Sequence, residues 1–74
     1  MENKNLTYYE GLIYGEILRE LKQFEDGTTM MYTTNICWQT RIENKLIRAI
    51  LVSLQKKGFI RLFKHNGESM IEVL

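Results

Sequence analysis

Apolar residues recur along the chain at two different periods, and the change of period divides it into elements. Ile13, Tyr14, Ile17, Leu18 and Leu21 fall at helical spacing, with Glu16, Arg19 and Glu20 on the other side, so they predict one amphipathic helix. Thr7-Tyr8-Tyr9-Glu10 has the spacing of a capping box, in which Thr7 caps the helix and the Glu10 side chain reaches back to the cap amide. Glu25-Asp26-Gly27 is turn chemistry, so the helix should end near Lys22 or Gln23. Gly11 and Gly15 lower the helix propensity of its first half. Residues 28–32, Thr-Thr-Met-Met-Tyr, are rich in strand formers and predict a short strand. Thr33 or Thr34 is then placed to cap a short second helix. Its Ile36, Cys37 and Thr40 lie at i, i+1 and i+4 and can face a core, and Arg41-Ile42-Glu43 follows as a break. A third helix is expected from about Asn44 to Lys57. Its stripe of Ile47, Ile50, Leu51 and Leu54 is the strongest periodic signal in the chain. Gly58 closes it at the position after the cap, where a left-handed residue costs a glycine nothing.

Beyond Gly58 the period falls to two. Asn66-Gly67 is the favoured pair for a two-residue type I′ turn. Placed as the loop, it pairs Leu62 with Ile71 and Ile60 with Val73 on one face of a hairpin. A slip by one residue would send these side chains to opposite faces, so their agreement supports the register. On the other face Arg61 lies across from Glu72, a favourable charge pair, and Phe63 lies across from Met70. The predicted architecture is α+β: three helices with a small antiparallel sheet made of the short strand and the C-terminal hairpin.

The length of 74 residues allows one domain spanning 1–74, with residues 1–6 expected to be flexible. Such a small core has little stability to spare. Apolar content of 45% with ordinary charge excludes a disordered chain. One cysteine, Cys37, permits no intrachain disulfide, and Cys37 with the single histidine, His65, cannot make a four-ligand zinc site. The polar start, Met1-Glu2-Asn3-Lys4-Asn5, lacks the apolar run of a secretory signal. No stretch is long enough to span a membrane, and a cytoplasmic protein is expected.

The net charge of +1 conceals a strong asymmetry. Up to Thr40 there are three bases (Lys4, Arg19, Lys22) against six acids (Glu2, Glu10, Glu16, Glu20, Glu25, Asp26). From Arg41 to His65 there are seven bases (Arg41, Lys45, Arg48, Lys56, Lys57, Arg61, Lys64) against one acid, Glu43. A basic second half attached to an acidic first half points to a polyanionic partner for the former.

The run from Thr33 to Ile60 resembles the winged helix-turn-helix family, with a capped short helix, a turn, and a recognition helix ending in Leu54-Gln55-Lys56-Lys57-Gly58-Phe59-Ile60. The resemblance extends from about Leu6 to Leu74. One position departs from it: Arg41 stands in the turn where family members often carry glycine. The segment Leu6–Gly15 and Phe24-Glu25-Asp26-Gly27 are similar to the amino-terminal domains of plasmid and phage replication initiators. The resemblance implies duplex DNA binding in transcriptional regulation or replication initiation, with the third helix reading DNA and the hairpin acting as a wing.

Helical geometry places Lys45, Arg48, Ala49, Val52 and Lys56 on the outer face of the third helix. The three bases suit phosphates or base edges, and Ala49 is small enough for the helix to enter the major groove. Thr34 and Arg41 flank that helix, and Asn44 at its start suits either adenine or a cap. The resemblance adds Lys64, His65 and Asn66 at the wing tip. Each of these positions also has a plainer reading: Lys45 and Arg48 as a solvated helix face, against which the place of their helix favours DNA, Lys56 as a partner of the helix dipole, Asn44 as a cap, the reading preferred for it, and His65 as an exposed residue beside a turn. Trp38, Phe63, Met70, Tyr8 and Tyr9 are candidates for a protein interface, which keeps a second reading open: a protein-interaction module on the same scaffold, or a homodimer. Cys37 reads as a small core residue. There is no phosphate loop, no metal-ligand spacing and no nucleophile–base pair, so neither catalysis nor a cofactor is expected, and no small-molecule ligand is evident.

Overall fold

The computed structural model of the chain describes residues 5–24 and 27–74, with residues 37–39 described by their backbone alone. Over these residues the elements are α1 (Tyr8–Lys22), β1 (Met30–Tyr32), α2 (Thr33–Thr40), α3 (Asn44–Lys56), β2 (Ile60–His65) and β3 (Glu68–Val73). The described residues thus form three helices and one three-stranded antiparallel sheet of order β1-β3-β2. The hairpin register is as the alternation predicts: Ile60 opposite Val73, Arg61 opposite Glu72, Leu62 opposite Ile71 and Phe63 opposite Met70. The turn residues Asn66 and Gly67 take φ of 53° and 81°, the left-handed pair that a type I′ turn requires. β1 joins the other edge of β3, with Met31 across from Ile71.

One core lies between the helices and the sheet. Ile13 and Ile17 of α1, Ile36 of α2, Leu54 of α3, Ile60 and Ile71 are fully buried, and Ile47, Ile50 and Leu51 complete the seam of α3. Each such side chain contributes roughly 1.5–3 kcal/mol through removal from water. α1 is less regular than its spacing implied. Leu18 is 39% exposed, whereas Glu20 is buried. Glu20 lies three residues beyond Ile17, on the inner row of the helix, and its carboxylate accepts a hydrogen bond from Gln23 Nε2 at 3.4 Å.

The capping box of α1 forms: the Thr7 amide donates to Glu10 Oε1 at 2.9 Å, and the Glu10 amide donates to Thr7 Oγ1 at 3.2 Å. The caps expected of the other two helices do not form. α2 follows β1 without an intervening residue, so the last strand residue, Tyr32, occupies the cap and Thr33 is already helical. The Thr33 hydroxyl instead donates to the Ser69 carbonyl of β3. At α3 the cap is Glu43, without a side-chain cap bond, and Asn44 is the first helical residue. The three-residue turn leading into α3 is anchored by half-buried Ile42, which packs on the core and leaves Glu43 at the cap. α3 ends as its glycine predicts. The Phe59 amide reaches back to the Leu54 carbonyl at 3.1 Å and the Gly58 amide to Gln55 at 3.0 Å. With Gly58 at φ 85°, this is a complete Schellman motif.

Glu10 does more than close its own helix. It is buried, accepts the Ser53 hydroxyl, and pairs with Lys57 Nζ at 2.6 Å. The start of α1 is thereby fastened to the end of α3. Lys57 Nζ also donates to the Asn5 carbonyl at 2.7 Å, and Leu6 packs against the core, so these two residues of the predicted flexible start are anchored. Residues 1–4 of that start, and Glu25 and Asp26 of the predicted turn, lie outside the described residues.

Two consequences are measurable. Gly58→Ala puts a Cβ on a left-handed residue and is expected to destabilise the fold by about 1 kcal/mol; urea unfolding should show a lower midpoint with an unchanged slope. The bonds to Lys57, Ser53 and Thr7 hold the Glu10 carboxyl down to about 2 from its ordinary 4.5. The stability Glu10 contributes is therefore complete above pH 4.5 and lost as pH falls towards 2. Between those values the unfolding midpoint of Glu10→Gln should fall less steeply than that of the unsubstituted protein.

Candidate nucleic-acid interface

The inward stripe of α3 fixes which residues it turns outward. Lys45, Arg48, Ala49, Val52 and Lys56 are all exposed, as the helical count requires. Among the described residues the cations divide into two groups. Arg19 pairs with Glu16, Lys57 with Glu10, and Arg61 with Glu72. Arg41, Lys45, Arg48, Lys56 and Lys64 have no ion pair and no hydrogen bond from their side chains, and of these five all but Arg41 and Lys64 lie on α3. Lys22, at the far end of α1, is the remaining unpaired base among the described residues. The cations without acid partners are thus concentrated on α3, the turn before it and the hairpin.

The hairpin stands beside α3 and leaves an open groove of about 510 Å³ between them. Of the residues singled out in the sequence, Thr34, Asn44, Arg48, Val52 and Lys64 line this groove together. Lys45, Ala49 and Lys56 share the exposed side of α3 but do not line it. His65 and Asn66 are exposed at the hairpin tip, also off the groove. Asn44, no longer needed as a cap, has its side chain available to the groove. Arg48 from the helix and Lys64 from β2 put positive charge on both walls, and no acid lies in the lining.

The apolar candidates separate. Phe63 and Met70 are half-buried and line the groove. The Arg61 guanidinium lies 4.4 Å from the centre of the Phe63 ring, covering part of what the alternation alone leaves bare. Tyr8 and Tyr9 are exposed on α1 and touch edge to face at 5.4 Å, but not in the groove. The side chains of Trp38 and Cys37 lie outside the described residues. Sequence reasoning missed Thr33, Ser69 and Leu62 as groove residues. The hairpin register could have offered Ser69, since it stands directly opposite Lys64.

Arg41 has a backbone role as well as a charge. It ends α2 at φ 58° and ψ 23°, the left-handed conformation for which glycine is the ordinary choice. The three-residue turn between α2 and α3 needs that conformation, and the chain meets the need with a bulky cation. The Ile42 amide then reaches Thr40 Oγ1 at 3.4 Å.

Among the described residues, no group of three or more His, Cys, Asp or Glu side chains could hold a metal ion, and no helix is long and apolar enough to cross a membrane. No protein-family model and no curated protein matches this chain.

A left-handed L-residue costs roughly 1–2 kcal/mol, and the extra freedom of an unfolded glycine returns about 0.4–1 kcal/mol of that. Arg41→Gly is accordingly expected to stabilise the fold by about 0.5–1 kcal/mol in denaturant titration, while removing one exposed cation beside α3.

Proposed function

We propose that the protein binds double-stranded DNA as a winged helix module, with α3 entering the major groove and the β2–β3 hairpin serving as the wing. What carries the reading is the set of unpaired cations on the open side of α3, with Lys64 facing it across the groove. A polyanion supplies the counter-charges that the described residues do not provide. Lys45, Arg48 and Lys56 serve phosphates or base edges, and Ala49 and Val52 give the helix a slim, partly apolar side on which thymine methyl groups can rest. Thr34, Arg41 and Asn44 flank the entry of the helix, and Lys64, His65 and Asn66 lie where a wing meets the sugar–phosphate backbone. Phosphate contacts supply most of the affinity and base contacts the selectivity. Transcriptional regulation or replication initiation in the cytoplasm is the setting that suits such a module.

A second reading rests on Tyr8, Tyr9 and Leu12, which are 77%, 48% and 41% exposed on α1 and suit a protein partner, a second copy included.

Salt titration of binding to mixed-sequence duplex separates the two. DNA binding through these cations gives a steep linear fall of log affinity with log salt, and each phosphate contact removed by Lys45→Ala or Arg48→Ala should flatten the slope by about 0.9. The double variant should bind at least about tenfold more weakly, the loss expected for two such contacts. Affinity that ignores salt and both substitutions would overturn the assignment.

A further inference from the structure

The groove between α3 and the hairpin has a composition that duplex DNA does not fully explain. Much of its lining is apolar: Ile47 and Leu51 of α3 are buried, and Leu62, Phe63 and Met70 of the hairpin are half-buried. Its charge comes from Arg48 on one wall and Lys64 on the other, both exposed and without an acid partner among the described residues. A duplex presents phosphates that would satisfy these charges, but its rigid, charged backbone has no apolar body to enter the recess. A volume of about 510 Å³ falls within the roughly 300–1,000 Å³ of sites that hold small organic molecules.

We infer that this groove binds an amphipathic organic anion: an aromatic or acyl body seated between Leu62 of the hairpin and Val52 of α3, with one carboxylate, sulfonate or phosphate held between Arg48 and Lys64. Charge complementarity sets the sign of the head group, and the apolar lining sets the nature of the body. Ligand and duplex then require the same two cations, so occupancy excludes DNA. That last consequence rests on the DNA-binding reading; the ligand site itself does not.

The test uses the full chain and the fluorescent probe 1-anilinonaphthalene-8-sulfonate, with the uncharged N-phenyl-1-naphthylamine as its neutral counterpart. The expected result is saturable binding of one sulfonate per chain, at least about tenfold tighter than the neutral probe, the gain expected of a charge-assisted contact. Arg48→Ala and Lys64→Ala should each weaken the sulfonate severalfold, while Lys22→Ala leaves it unchanged. Val52→Trp places a bulky ring at an exposed position of the groove wall, away from the buried seam, and should block the probe while the circular dichroism spectrum stays native. Non-saturable binding, equal affinity for both probes, or indifference to Arg48→Ala, Lys64→Ala and Val52→Trp would overturn the site. Saturating sulfonate should also release a labelled duplex. Simultaneous binding of both would overturn the exclusion, and failure of the duplex to bind at all, with the probe still seated, would defeat the DNA reading and leave the ligand site standing.

Discussion

The structure depends on the burial of one side of α3. Ile47, Ile50, Leu51 and Leu54 are pressed between α1 and the sheet, and with Ile13, Ile17, Ile36, Ile60 and Ile71 they make up nearly all of the fully covered apolar surface. In a domain of this size there is no second core to fall back on. The same burial sets the surface chemistry, because a helix with four inward positions fixed has no freedom in what it turns outward. The exposure of Lys45, Arg48 and Lys56 is thus a consequence of packing.

Hydrophobic packing alone permits a helix to slide along its own axis, and polar contacts resist that motion. Glu10 binds the Thr7 amide at the start of α1 and both Ser53 and Lys57 near the end of α3. At the other side Gln55 Oε1 accepts the Leu62 amide at 2.7 Å, tying α3 to the free edge of β2. That contact also covers a backbone donor which would otherwise lie open on an edge strand. One bond, from the Leu62 amide to Gln55, therefore helps to hold the hairpin at its distance from α3.

The features legible in the sequence were those whose cause is local. The capping box needs only Thr7 and Glu10 three residues apart, the Schellman end needs Gly58, and the hairpin register follows from Asn66-Gly67 and the alternation of Ile60, Leu62, Ile71 and Val73. The α3 stripe declared both its inner and its outer face. What escaped was set by contacts distant in sequence. Nothing near Glu10 indicates Lys57, 47 positions away. The threonines before α2 look like caps, but the direct join to β1 gives that place to Tyr32. Leu18 matches the helical period of its neighbours, yet no element packs over it closely enough to bury it. The groove is a product of how α3 and the hairpin are spaced, so single residues could be named as binding candidates while the apolar lining beside them could not.

Arg41 connects the energetics with the binding face. A turn residue at φ 58° would be less strained as glycine, and the surrounding contacts do not compensate for it: Arg41 is exposed and makes no ion pair among the described residues. The same is true, in milder form, of the other cations on this side, which remain unpaired while Glu16, Glu10 and Glu72 are matched elsewhere. A chain selected for stability alone would neutralise such a surface and relax such a turn. Local cost concentrated on one face, beside a groove bordered by the same charge, is the pattern expected where the missing counter-charge arrives with a ligand.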